Sequence, residues 1–182
     1  MFQMMNLSQQ NFSQDYGCPD CSSLASQALK LYRNSMSTGK LQRIWSKIRR
    51  HPNRLLDLNS QFTRSKVRSQ HYGGVKPVLI NQIIGTEGRL NDFDASFNPL
   101  NEKTRDRWLS IATARLLGTA MPAVELIQVG DFYFVRDGHH RISVARAFGE
   151  EAIDAEITIW DVNRPLPWEK DTPMAQLCPE AV

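Results

Sequence analysis

No run of apolar residues in this chain approaches the ~20 that a membrane-spanning helix needs. The first Lys or Arg is Lys30, so the start has neither the basic region of a signal peptide nor the Arg-rich face of a transit peptide. Cysteine is scarce: Cys18, Cys21 and Cys178 are an odd number and do not suggest a disulfide framework. No internal repeat is visible, which sets aside solenoid and propeller architectures. A soluble, cytoplasmic protein is the expectation. At 41% hydrophobic and 23% charged, the 182 residues can bury a core without disulfides or a metal staple.

Acidic residues are few in the first part of the chain. Residues 1–76 hold 12 Lys/Arg against 3 Asp/Glu, a net +9, and residues 77–182 hold 10 against 16, a net −6. The split predicts a basic arm joined to a mildly acidic body. A basic arm attracts nucleic acid, anionic lipid or an acidic partner, or docks on its own acidic body.

Residues 1–21, rich in Gln, Asn and Ser, are expected to be flexible. Residues 22–74 form the basic helical arm. Within it, Leu24, Ala28, Leu31 and Tyr32 mark one face of a helix ending near Asn34, and 34–39 reads as a loop. Leu41, Ile44, Trp45 and Ile48 then fall at i, i+3, i+4 and i+7, with Arg43, Lys47 and Arg50 on the other side. Trp45, on the apolar face, is expected to pack inward. The basic residues are candidates for DNA phosphates or a membrane surface; no motif for base-specific reading is present. A weaker helix is expected over 60–69, and Tyr72-Gly73-Gly74 reads as a break and a domain boundary.

The body, 75–162, begins with a strand-like run over 75–80. Gly85, Gly88 and 91–99 read as a long loop. Asn101 is placed to cap a helix ending before Gly118. Strands are expected over 124–129 and 132–135, joined by a two-residue Gly130-Asp131 turn, and over 153–160, where apolar and polar residues alternate. A helix opens at Asp137-Gly138 and stops at Gly149. Residues 163–182 form a Pro-rich tail expected to be loose.

The most informative stretch is 132–145, where a strand runs through a glycine directly into a helix. The first turn of a helix has unpaired N–H groups and a partial positive charge, and both favour a phosphate. Gly138 would let a ligand approach the backbone. His139 and His140 add donors or a base near neutral pH, and Arg141 can grip phosphate oxygens in a two-pronged contact. Asp137 can cap the helix or hold Mg²⁺. The alternative at this point is a plain helix cap with surface polar residues.

Over about 75–160 the chain resembles the ParB/sulfiredoxin superfamily, and in particular small bacterial proteins with a ParB-like domain. The matching segments are Ile84-Gly85-Thr86-Glu87-Gly88-Arg89, Asp92-Phe93-Asp94, Phe97, Pro99, Arg107-Trp108 and 129–141. The resemblance implies an α+β body with a small mixed sheet. Against ParB's CTP-binding block, Gly138, Arg141 and Ala145 match, but Ser143 stands where ParB has Arg, and about forty residues after the block show no helix-turn-helix. Against sulfiredoxin, Gly138, His140 and Arg141 match, but His139 replaces the reactive Cys, so that thiolate chemistry is not expected. Against the archaeal free-serine kinase, Asp137, Gly138, His139 and Arg141 match. The resemblance thus implies a phosphate-binding site for CTP, ATP or ADP with Mg²⁺, assisted by Arg89. Either binding alone follows, with nucleotide changing contacts between arm and body or between the subunits of a homodimer, or phosphoryl transfer or nucleotide hydrolysis with Glu87 or His139 as base. A third reading is a DNA-associated protein whose body is only a scaffold.

Other residues are read more plainly. No metal site is assigned. Asp92-Phe93-Asp94 is expected to make an Asx turn with the Phe buried, and Arg89 can pair with either acid. Trp108 reads as core. Cys18 and Cys21 form a lone C-x-x-C and are taken as free thiols in the arm.

Overall fold

The computed structural model describes residues 21–49, 53–61 and 67–162. Expectations for 1–20, Cys18 included, for Arg50 and for the tail from 163 lie outside them. The described residues form an α+β fold with a six-stranded mixed sheet. The chain runs through α1 (Cys21–Arg49), β1 (Leu56–Asp57), α2 (Leu58–Gln61), β2 (Val67–Leu79), β3 (Ile83–Thr86), α3 (Arg105–Leu116), β4 (Val124–Val129), β5 (Phe132–Asp137), α4 (His139–Ala147) and β6 (Ala152–Val162). The strand order is β1-β3-β5-β4-β6-β2. β1, β3 and β5 are mutually parallel, β4 is antiparallel to β5 and parallel to β6, and β2 runs antiparallel to β6 at the edge.

β5 shows why the centre of the sheet must be covered on both sides. Its residues alternate, and all four of Phe132, Tyr133, Phe134 and Val135 are buried. Tyr133 and Val135 join Leu126, Ile157, Phe93, Phe97 and, from α4, Ile142 and Ala145. Phe132 and Phe134 join Ile127, Val129 and Leu58 of α2 on the opposite face. A further layer links α1, α3 and α4 through Ala28, Tyr32, Trp108, Ala112 and Val144. The rings of Tyr32 and Trp108 meet edge-on at 5.4 Å.

Several expectations change. The two helices expected on either side of 34–39 are one continuous α1. Gly39 is buried, and a Cβ there would lie 3.0 Å from Asn98 Cβ, so its glycine makes room for the body instead of breaking the helix. Trp45 does not pack inward: it is 56% exposed, while Gly39, Gln42 and Ser46 are the more buried residues of that stretch. Of the helix expected over 60–69, residues 60–61 lie in α2, 62–66 are outside the described residues, and 67–69 belong to strand β2. Tyr72-Gly73-Gly74 lies inside β2, where the pairing with β6 shifts register between Tyr72 and Val75. The dipeptide is a bulge, with Gly74 at φ 83°, and not a break. Gly85 belongs to β3, not to a loop: a Cβ there would stand 2.3 Å from the Phe134 ring and 2.5 Å from the Leu56 carbonyl oxygen. Asn101 does not cap a helix; its amide donates to Asn91 O and Asp92 Oδ1, and a 3₁₀ turn, Glu102–Thr104, leads into α3.

Candidate functional site at the start of helix α4

Parallel strands β3 and β5 end side by side, with Thr86 paired to Val135. β5 passes through Gly138 into α4, and the Ile142 N–H bonds the Gly138 carbonyl at 3.0 Å as the first helical link. Gly138 has φ 101°, a conformation suited to glycine. A Cβ on it would lie 2.5 Å from Val124 Cγ1. The glycine is therefore required by the close approach of β4, whereas the sequence suggested room for a ligand. No side chain caps the helix, and its first turn contains no acid.

Asp137 does not supply the expected cap. Its Oδ2 accepts from Arg141 Nη2 at 2.7 Å, and Arg141 Nη1 donates to the carbonyl oxygens of Pro122 and Ala123, each at 2.7 Å. The Arg141 side chain is only 15% exposed. It fastens the chain entering β4 to the start of α4, and most of its donors are engaged.

His139 and His140 are both buried and meet around Phe93. The His139 ring stacks on Phe93 with centroids 6.1 Å apart, and His140 meets its edge at 5.2 Å. Thr86 Oγ1 accepts from the backbone N–H groups of Gly88 and Arg89, each at 3.1 Å. It lies 2.7 Å from His139 Nε2 and 3.5 Å from the Val135 carbonyl. The hydroxyl proton reaches the Val135 carbonyl, and which of Thr86 Oγ1 and His139 Nε2 donates in their contact depends on the imidazole tautomer. Burial pushes the pKa of each histidine down to about 4, and positive charge adds to the effect: Arg89 at His139, Arg107 and Arg89 at His140. Both rings are neutral at pH 7. An imidazole titrating near 4 accepts protons poorly at pH 7.

Arg89 pairs with Asp92 at 3.2 Å on the rim of this cluster. Asp94 builds the expected Asx turn. Its Oδ1 accepts from the Ser96 and Asn98 N–H groups at 2.9 and 2.8 Å, while Phe93 is fully buried. Desolvation raises the Asp94 pKa. Glu87 is drawn elsewhere. Its Oε2 accepts from Arg136 Nε at 3.1 Å, and it lines a cavity of about 540 Å³ with Asn59, Arg68, Gln70, Arg136 and Trp160. Neither histidine lines that cavity.

The structure thus brings Arg89, His139 and His140 together, pairs Asp137 with Arg141, and sets Glu87 beside Arg136. Arg43 and Lys47 lie exposed on α1. Sequence reasoning missed Thr86, whose hydroxyl joins the loop after β3 to His139, and treated Arg107 only as part of a matching segment. Nothing local to either residue signals its proximity to α4. Among the described residues, no group of His, Cys, Asp and Glu is arranged to hold a metal ion.

No family model and no curated protein matches the chain. Among solved structures, sulfiredoxin from Arabidopsis thaliana aligns with 16% identity over 46% of this chain and 82% of its own, at a TM-score of 0.31. That superposition is too loose to transfer any residue or activity. The α+β class and mixed sheet rest on the strand pairing itself.

Proposed function

We propose that the protein binds a nucleotide through its phosphates at the start of α4, as a binding module. One observation carries the reading: this helix start has no side-chain cap and no first-turn acid, and Arg89 and Arg107 raise the positive potential at its two neutral histidines. Backbone N–H groups of the first turn would meet phosphate oxygens, Arg89 would turn from Asp92 toward them, and Arg107 would add charge from α3. The neutral imidazoles would offer donors without the cost of burying a second cation. Arg141 and Asp137 would act by holding the turn in shape. CTP, ATP and ADP are the candidates. Mg²⁺ would arrive with the phosphates, since such ions take most of their ligands from phosphate and water.

Phosphoryl transfer is less well supported. Glu87 is paired with Arg136, and His139 is a weak base at pH 7. Calorimetric titration with CTP, ATP and ADP, each with and without Mg²⁺, tests the proposal. Saturable binding to one of them, weakened about tenfold by Arg89→Ala and by Arg107→Ala, is the expected result. No binding to any nucleotide, or binding indifferent to both changes, would overturn it.

A further inference from the structure

The outward face of α1 is built for something other than water. Its first half docks on the body through Ala28 and Tyr32, both buried, and the same side of the helix continues through Gly39, Gln42 and Ser46. Gln42 Oε1 accepts from Asn98 Nδ2 at 3.1 Å, so a polar side chain holds the second half in place. The apolar stripe therefore points away. Leu41, Ile44, Trp45 and Ile48 are 58, 57, 56 and 66% exposed. With 100° per residue these four lie within one arc, opposite Tyr32 and Gly39; Lys40 and Lys47 fill the flank between the two sides, and Arg43 falls nearer the docked side. Lys30, Arg33, Lys40, Arg43, Lys47 and Arg49 lie within α1, which has no Asp or Glu at all.

We infer that this half of α1 lies on an anionic lipid surface. An interfacial helix joins an apolar face carrying Trp, Leu or Ile to Lys and Arg beside it, so that the apolar groups enter the acyl boundary while the cations stay at the headgroups. Charge selects this occupant. A second copy packed stripe to stripe would bring the Lys40 and Lys47 of both helices toward each other, with no acid on either helix to neutralise them. A nucleic acid would satisfy the cations and leave Leu41, Ile44 and Ile48 in water. An anionic bilayer surface satisfies both. The stripe spans about two turns, so the attachment is weak, reversible and salt-sensitive. Among the described residues no helix is long and apolar enough to cross a membrane, which fits a helix that lies on one.

The test is flotation of the full chain with vesicles of phosphatidylcholine alone, or of phosphatidylcholine and phosphatidylglycerol in equal parts. Binding to the anionic vesicles alone is expected, reversed by salt. Ile44→Ser with Ile48→Ser, and separately Lys40→Glu with Lys47→Glu, should each reduce the bound fraction more than about tenfold. Both pairs are exposed, so circular dichroism should be unchanged. No flotation, or flotation that survives the two serines, overturns the inference. So does self-association in sedimentation that the serines abolish, which assigns the stripe to a second copy. Duplex DNA binding with no vesicle binding assigns the basic flank to nucleic acid and also overturns it.

Discussion

The indole N–H of Trp108 donates to Ser143 Oγ at 2.8 Å, both residues being buried where α3 crosses α4. Ser143→Ala leaves that N–H without a partner and should cost about 1–3 kcal/mol. Urea unfolding reads it. In a double-mutant cycle with Trp108→Phe, the serine change should become nearly neutral.

Protonation of the two histidines sets an acid limit. Their folded pKa values, about 4, lie below the unfolded 6.5. The unfolded chain therefore binds protons first, and stability falls as pH drops from about 6.5 toward about 4. The unfolding midpoint in urea should decline across that window. His139→Gln and His140→Gln should each flatten the decline, and a midpoint constant with pH would mean that the rings are accessible to water.

Gly138→Ala should destabilise by about 3 kcal/mol or more. The alanine must adopt a left-handed conformation and meets Val124 at once. Val124→Ala in the same chain should recover only part of the loss, because it removes Cγ1 but leaves Val124 Cβ 2.8 Å away and the backbone strain. Thermal unfolding of the single and double variants checks both statements.

Arg141→Ala should lower stability by about 2 kcal/mol, since it leaves the Pro122 and Ala123 carbonyls and the Asp137 carboxylate without their donor. Arg141→Lys should recover little, because an ammonium cannot span two carbonyls and a carboxylate with the geometry of the guanidinium. Loss of ligand binding in either variant is informative only at a temperature where circular dichroism shows the fold intact.

The β4–β5 hairpin and α4 were legible because their signals are local. Apolar alternation, the Gly130-Asp131 turn and the run from strand through glycine to helix all sit within a few residues. The errors cluster at glycines read as breaks. Gly39, Gly73 and Gly85 each stand where a distant side chain comes close: Asn98, Ile159 and Phe134. A local reading cannot distinguish a glycine that bends the chain from one that makes room for a neighbour. The histidines pose the same problem in chemical form. Their position at a helix start was readable, but their neutrality depends on burial against Phe93 and on the charge of Arg89, each more than forty residues away along the chain. Trp45 failed for a related reason, since helical spacing identifies an apolar face without saying which way the helix turns it.

The bulge at Gly73-Gly74 carries β2 along almost the whole of β6. A chain begun at Val75 would keep the pairing of 75–79 with 152–156 and lose the partners of Thr158, Ile159, Trp160, Asp161 and Val162. Those residues would then present a bare row of backbone donors and acceptors, a template on which another molecule's strand can add. The N-terminal part of β2 thus covers an edge on which another molecule's strand could otherwise add.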